Sequence, residues 1–537
     1  MGFIPRLLDD WTFTNFFVGG LGVLCLISAL TAFQSRKIGI PGPTGLPIIG
    51  NAHQMPSYRP WLVFSAWKRL YGYQGNIIYL DVLGKPIIVV NSAKIAQDLM
   101  DKRSSIYSDR PISVMAELCG YYNTFGMAPY GDEWRKQRRL VVHDFSPSMT
   151  PRYYGLQETA ARTLVRNLVT KPESLRSEVK LRIGMIILRV AYGYKVESIA
   201  DPILQTGLLV VESFSLATAP GRWLVEIIPA LKHLPRWFPG AGFRRQADEW
   251  KDLHVKGSHD PYYWCKENLE TGKALSPSLC GRLIEEAGRN ISEMDEFSLH
   301  WAAASVFGGG LDTVRLLVIL SYSRLRVPAQ NMAAVLTFFR AMILNPHVVA
   351  KAQEEIDRVV GRDRLPSIKD KPDLPYVRSV AAEILRYAPS IPLGIPHTVT
   401  KDDYYDGYFI PKGTIVFPNI WHMTHDPEIY PNPDKFDPDR FKGQDSEMSK
   451  VYDLVFGFGR RVCPGLHLAQ ATLFAIVATT LATCEVLPGL DENGREVLPT
   501  TGYENGTIPM TEPYSLRMKP RSPQAASLLA EASTEIE

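Results

Sequence analysis

Cysteine is scarce in this chain: six in 537 residues (Cys25, Cys119, Cys265, Cys280, Cys463 and Cys484), scattered without paired spacing. That argues against a disulfide framework, leaves a zinc site unsupported, and fits a reducing compartment. An excess of either charge is also lacking. With 59 Lys and Arg against 56 Asp and Glu there is no broad cationic field, so nucleic acid is not expected as a partner. A Gly-rich dinucleotide fingerprint between a strand and a helix is missing, as are internal repeats and low-complexity blocks. What is present, 45% hydrophobic and 21% charged residues, is the composition of a globular chain able to bury a large core.

The N-terminus breaks this even composition. Phe16 to Phe33 carries no charge, and the apolar stretch from Trp11 to Phe33 is long enough to cross a bilayer. Arg36 and Lys37 follow at once and favour a cytosolic C-terminal side, with Arg6 competing from the other flank. The run is long for a cleaved signal peptide and no small-residue cleavage site follows it, so a membrane anchor is expected over 1–36. A Pro/Gly hinge over 37–50, with Pro41, Pro43 and Pro47, stops helix continuation and separates the anchor from a body over 51–520. In this topology the sequons at Asn290 and Asn505 face the cytosol and stay unglycosylated.

Within the body, the β-branched runs Ile77 to Leu83 and Pro86 to Val90 flank Gly84-Lys85 and read as a hairpin. Helical periods run through Leu156 to Val169, Leu181 to Val190, Val335 to Ile343 and Ala350 to Val360. Beyond Pro389 the pattern shifts to Pro, Gly and aromatics with short strands such as Thr414 to Phe417. The expected fold is mainly α with small β-sheets. The tail over 521–537 is polar enough to be disordered.

The chemistry-bearing segment is Phe456 to Gly465. It places Cys463 in a Gly-rich loop, after Arg460 and Arg461 and before an expected helix. A thiolate there could bind iron, with glycines letting the backbone approach a flat cofactor and turn N–H groups to the sulfur. Phe456, Gly459, Arg461, Cys463 and Gly465 match F-x-x-G-x-R-x-C-x-G, and here the chain resembles the cytochrome P-450 superfamily, its fungal microsomal type in particular. The resemblance runs from about Pro41 to about Pro520 as one catalytic domain. It implies haem b with Cys463 as the axial thiolate to iron, and Phe456, Gly459, Arg461 and Gly465 as its cradle.

Other residues follow from the same resemblance. Trp134 and Arg138, four apart on one helical face, match the W-x-x-x-R motif whose indole N–H and guanidinium take a haem propionate. His397 occupies a further position used for a propionate. Glu383 and Arg386 match the E-x-x-R pair, with Arg440 of the Phe436 to Phe441 segment completing a buried network. Gly309-Gly310-Leu311-Asp312-Thr313 lies in an apolar helix from near Ser292, although glycine inside a helix costs about 1 kcal/mol against alanine. The resemblance makes this the distal helix, where small residues leave room for dioxygen, Thr313 holds a water and Asp312 relays protons. Close helix packing is the other use of such glycines.

At that point the pattern departs from the family. Val314 to Gln330 intervenes before a stretch, Asn331 to Phe339, that normally follows directly. The 17 residues include three arginines and Pro328, and a proline inside a helix costs about 3 kcal/mol or more. Their 51 nucleotides could begin with the GT of a valine codon and end with CAG for glutamine, as in a retained intron. A genuine loop insertion is the alternative.

The resemblance and the missing dinucleotide fingerprint together imply an NADPH-dependent cytochrome reductase as electron donor, for which Arg135, Lys136, Arg139 and Arg460 could form a basic docking face. The expected protein is a monomeric, single-pass protein of the endoplasmic reticulum membrane with a cytosolic catalytic domain, oxidising a lipophilic small molecule. Two other readings stand beside it: a haem-binding protein inactive as written because of 314–330, and a peroxide-using or isomerising haem-thiolate enzyme.

Overall fold

The computed structural model describes residues 38–219, 222–288, 291–311, 330–504 and 509–531. The expected anchor over 1–36, Asp312, Thr313, residues 314–329 and the sequon residues Asn290 and Asn505 lie outside the described residues. By its internal packing the chain forms two compact units. Met1–Pro111 with Ile395–His422 make the first, and Ile112–Gly394 with Met423–Glu537 the second.

The first unit is built around a sheet. β1 (Ile77–Val82) and β2 (Lys85–Val90) form the expected hairpin, and β3 (His397–Thr398), β4 (Asp403–Tyr405), β5 (Tyr408–Ile410) and β6 (Ile415–Pro418) come from the returning segment. The four-stranded order is β1-β2-β6-β3, with β2 and β6 parallel and the other pairs antiparallel. The hairpin turn lies one residue earlier than the sequence suggested. Leu83 and Gly84 occupy it with φ of 54° and 78°, and Lys85 pairs with Val82. Two successive left-handed residues give the tight turn whose twist matches the strands, and only the second is a glycine.

The second unit is helical. Tyr154–Thr170, Leu175–Tyr192, Gln330–Leu344 and Pro346–Val359 contain the four periodic stretches read from the sequence. At its centre, Leu466–Thr483 is buried over most of its length and packs against Tyr154–Thr170, Pro346–Val359 and Pro375–Tyr387. Among the described residues it is the one helix that is by itself long and apolar enough to cross a membrane, and its burial accounts for that composition. Gln157 enters this apolar layer only because its amide donates to the Leu468 carbonyl at 2.8 Å and to Thr472 Oγ1 at 2.6 Å. Strands β7 (Cys484–Leu490), β8 (Glu496–Val497) and β9 (Leu516–Pro520) form a small sheet in the order β8-β7-β9.

The tail differs from expectation. Pro523–Glu531 is a helix, started by Ser522, whose Oγ accepts from the Ala525 N–H at 3.1 Å. Ala525 and Leu529 are buried on one face. Its polar composition hid two apolar residues four apart, which is enough to dock a short helix.

Two histidines set an acid limit on this unit. His254, on Gly242–Asn268, lies 4.6 Å from Tyr121 and 4.9 Å from Trp301 between ring centroids, and His300, on Glu293–Leu311, lies 4.5 Å from His259. Burial, first of all, pushes both down to about 4. Folded protein therefore keeps them neutral while the unfolded chain takes protons below about 6.5. Stability is complete above that pH and falls as pH drops toward 4, by about 1.4 kcal/mol per unit for each histidine. Denaturant midpoints measured from pH 7 to pH 5 should fall steadily, and less steeply in His254→Phe; a flat profile would count against this assignment.

Candidate functional site

The cysteine loop is shaped by its glycines. After the Asp445–Val455 helix, Gly457 and Gly459 adopt φ of 85° and 54°, a region that strains residues with side chains. The loop closes where the Cys463 N–H donates to the Phe456 carbonyl at 2.8 Å and the Arg461 N–H to that of Phe458 at 3.1 Å. Gly465 then caps Leu466–Thr483, and its N–H bonds to the Cys463 sulfur. Burial pushes the thiol up, while this N–H and the Arg138 guanidinium act to bring it down. By surface area Cys463 is nonetheless exposed. Many protein atoms thus surround the residue while part of its own surface stays open. A sulfur with that access, an oriented N–H and a nearby cation is equipped to act as a thiolate ligand.

Donors gather nearby. Trp134, on Asp132–Asp144, is buried, and its Nε1 has no partner among the described residues. The guanidinium carbons of Arg461 and Arg138 lie 4.6 Å and 6.0 Å from the indole centroid. Arg138 donates to the Val462 carbonyl, next to Cys463, and no carboxylate among the described residues pairs with it. Burial accordingly pushes its guanidinium down. Arg461 also reaches the Phe125 and Ala128 carbonyls, at 3.0 Å and 2.8 Å, a role the sequence did not indicate. An orphan indole N–H beside a desolvated guanidinium is a site for an anion. The donor set and the exposed cysteine therefore fit a group that carries both an anion and a metal ion able to take a thiolate.

Glu383 and Arg386 are both fully buried on Pro375–Tyr387. Their ion pair is bidentate, with Nε and Nη2 donating at 2.7 Å and 2.8 Å. Arg440 Nε adds a third contact at 3.2 Å, and the Asp437 N–H donates to Glu383 at 2.9 Å. Arg386 also donates to the carbonyls of Thr424 and Pro433 at 2.9 Å and 2.8 Å. The structure thus brings together the three residues singled out by sequence.

On the Glu293–Leu311 helix the two glycines differ. A Cβ on Gly310 would come within 2.6 Å of Ile187, so its smallness serves helix packing; one on Gly309 would meet nothing within 4 Å among the described residues. His397 belongs to the first unit, buried, with Nδ1 2.6 Å from the Tyr107 carbonyl. Arg110, which sequence reasoning passed over, donates to the Ile395 and Pro396 carbonyls just before it, at 2.9 Å and 2.8 Å. Of the cations suggested for docking, Arg135 pairs with Asp132, Lys136 with Asp295 at 2.6 Å, and Arg460 donates to Tyr130. Arg139 is exposed.

The family model described as Cytochrome P450 matches residues 40–315 and 331–507. Cytochrome P450 monooxygenase 105 of Postia placenta is 47% identical over 505 residues, covering 94% of this chain and 93% of its own. Cytochrome P450 monooxygenase claR of Ampulloclitocybe clavipes is 38% identical over 514 residues, covering 95% and 91%. A solved structure of a zebra fish cytochrome P450 with abiraterone shares the fold, with a TM-score of 0.65 over 86% of this chain and 100% of its own, at 24% identity.

Proposed function

The chain belongs to the cytochrome P450 family and is a monooxygenase, and from that premise we propose that it inserts one oxygen atom of O2 into a lipophilic small molecule, by hydroxylation or epoxidation. The reaction class is that of secondary metabolism or xenobiotic oxidation, with electrons from an NADPH-dependent cytochrome reductase. The observation that supports this reading is the exposed Cys463 in its Gly-rich loop, near Arg138 and a Trp134 whose N–H has no partner among the described residues.

Haem, when bound, supplies the iron at which dioxygen is reduced. Cys463 would hold it by its thiolate, kept charged by the Gly465 N–H and by the positive end of Leu466–Thr483. Trp134 and Arg138 would take a propionate, with Arg461 as a further donor. Gly309 leaves space on its helix for a small reactant. Asp312 and Thr313 would move protons there, Thr313 by holding a water and Asp312 by relaying. The N-terminal segment would anchor the protein as a monomer in the endoplasmic reticulum membrane, with the catalytic domain in the cytosol.

Cys463→Ala should abolish the reduced carbon monoxide band typical of thiolate ligation, leaving far-ultraviolet circular dichroism unchanged. Retention of that band would refute Cys463 as the ligand. Turnover with reductase and NADPH, set against peroxide alone, tests the electron source.

The second reading, a haem protein inactive as written, is favoured by one observation: the family match stops at 315 and resumes at 331, leaving out 316–330.

A further inference from the structure

The helix that carries Trp134 and Arg138 ends on an acid. Asp144 is the last residue of Asp132–Asp144, where the helix dipole is negative and a carboxylate is disfavoured. It is also fully buried. Such a residue persists only if something compensates it. Arg152 donates to Asp144 Oδ1 at 2.5 Å, Arg282 Nε donates to the same oxygen at 2.9 Å, and His143 Nδ1 lies 3.5 Å from it. The other oxygen, Oδ2, is buried with no partner among the described residues. Arg282 belongs to Leu279–Ala287 and also donates to the Leu140 carbonyl at 3.3 Å, gripping the same helix twice. At the opposite end, Ser298 Oγ donates to Glu133 at 3.1 Å. The helix is thus pinned near both ends, to two different neighbours, with Trp134 and Arg138 between the pins.

We propose that Asp144 is a positioning residue for the anion site formed by Trp134 and Arg138. Six residues of helix, about 9 Å, separate it from Arg138. A buried charge network can fix the register of an element even where apolar packing would stabilise it better. Loss of Asp144 lets the helix turn or slide, and a planar guanidinium held against the Val462 carbonyl loses its aim with a small displacement. The inference rests on the reading of Trp134 and Arg138 as haem-propionate donors.

The test is a double-mutant cycle read by haem loss, not turnover. Haem-loaded full-length protein is mixed with excess apomyoglobin, and transfer is timed by absorbance. Arg138→Ala should release haem about 10–100-fold faster than the parent, and Asp144→Asn about tenfold faster. The double variant should release it no faster than Arg138→Ala alone, because Asp144 then has nothing left to position. General destabilisation would instead multiply the two effects, and that result overturns the proposal. So does parental release from Asp144→Asn when Arg138→Ala is fast. Parental release from Arg138→Ala sinks the propionate reading itself, and this inference with it. If Asp144→Asn does not load haem, Arg282→Gln enters the same cycle in its place, removing a partner at the partly exposed edge of the network.

Discussion

Glu383→Ala should yield protein that retains no haem. Glu383 has no exposure, and its two oxygens receive Arg386, Arg440 and the Asp437 N–H. Truncation leaves two guanidinium groups facing each other around a buried gap. Breaking such a pair by removing one partner costs about 3–5 kcal/mol, against almost nothing for an exposed pair. The damage is not local, because Arg386 also fastens the Thr424 and Pro433 carbonyls, and the chain beyond them leads through Asp445–Val455 into the cysteine loop. The haem-to-protein ratio after purification and the thermal midpoint report it together. A normal ratio in Glu383→Ala would refute the role given to this network.

Deleting Val314 to Gln330 should raise product formed per NADPH consumed by about 100-fold, the scale of penalty attached to a small misplacement of reacting groups. Helix runs to Leu311 on one side of the segment and resumes by Gln330 on the other. Joining Thr313 to Asn331 removes Pro328 and allows one continuous helix carrying Gly309 through Phe338. The protons that Asp312 and Thr313 would deliver then come from a rigid element. In the long form NADPH consumption should continue with little product. Sequencing of the mature transcript tests the origin of the segment: a message lacking these 51 nucleotides supports a retained intron. A message that keeps them, with well-coupled turnover by the long form, would establish a genuine loop.

The parts of this protein that were legible in its sequence are those with local signatures. Helical periods mark Tyr154–Thr170 and Leu175–Tyr192 because their apolar residues must return to one face. Glu383 and Arg386 stand out because a spacing of three places them together before any tertiary contact forms. What escaped notice depends on partners far away in the chain. Arg461 meets carbonyls more than 300 residues earlier, and no pattern near either end announces it. The division into two units was hidden likewise, since Ile395–His422 returns to the first unit from a distance. The turn at Leu83 was misplaced by one residue because a leucine with positive φ defies local preference. Asp144 did leave a trace, an acid closing a helix, which is a mismatch readable from sequence alone.

The contrast between Gly309 and Gly310 bears on how this enzyme can change over generations. A methyl group at 310 collides with Ile187, so substitution there strains the packing of the two helices. At 309 the same methyl group meets no described atom, so it favours the helix and fills space beside it without a clash. Adjacent positions of one helix thus separate heritable constraint from heritable freedom. Descendants can vary at 309 while 310 keeps the helix crossing they inherited.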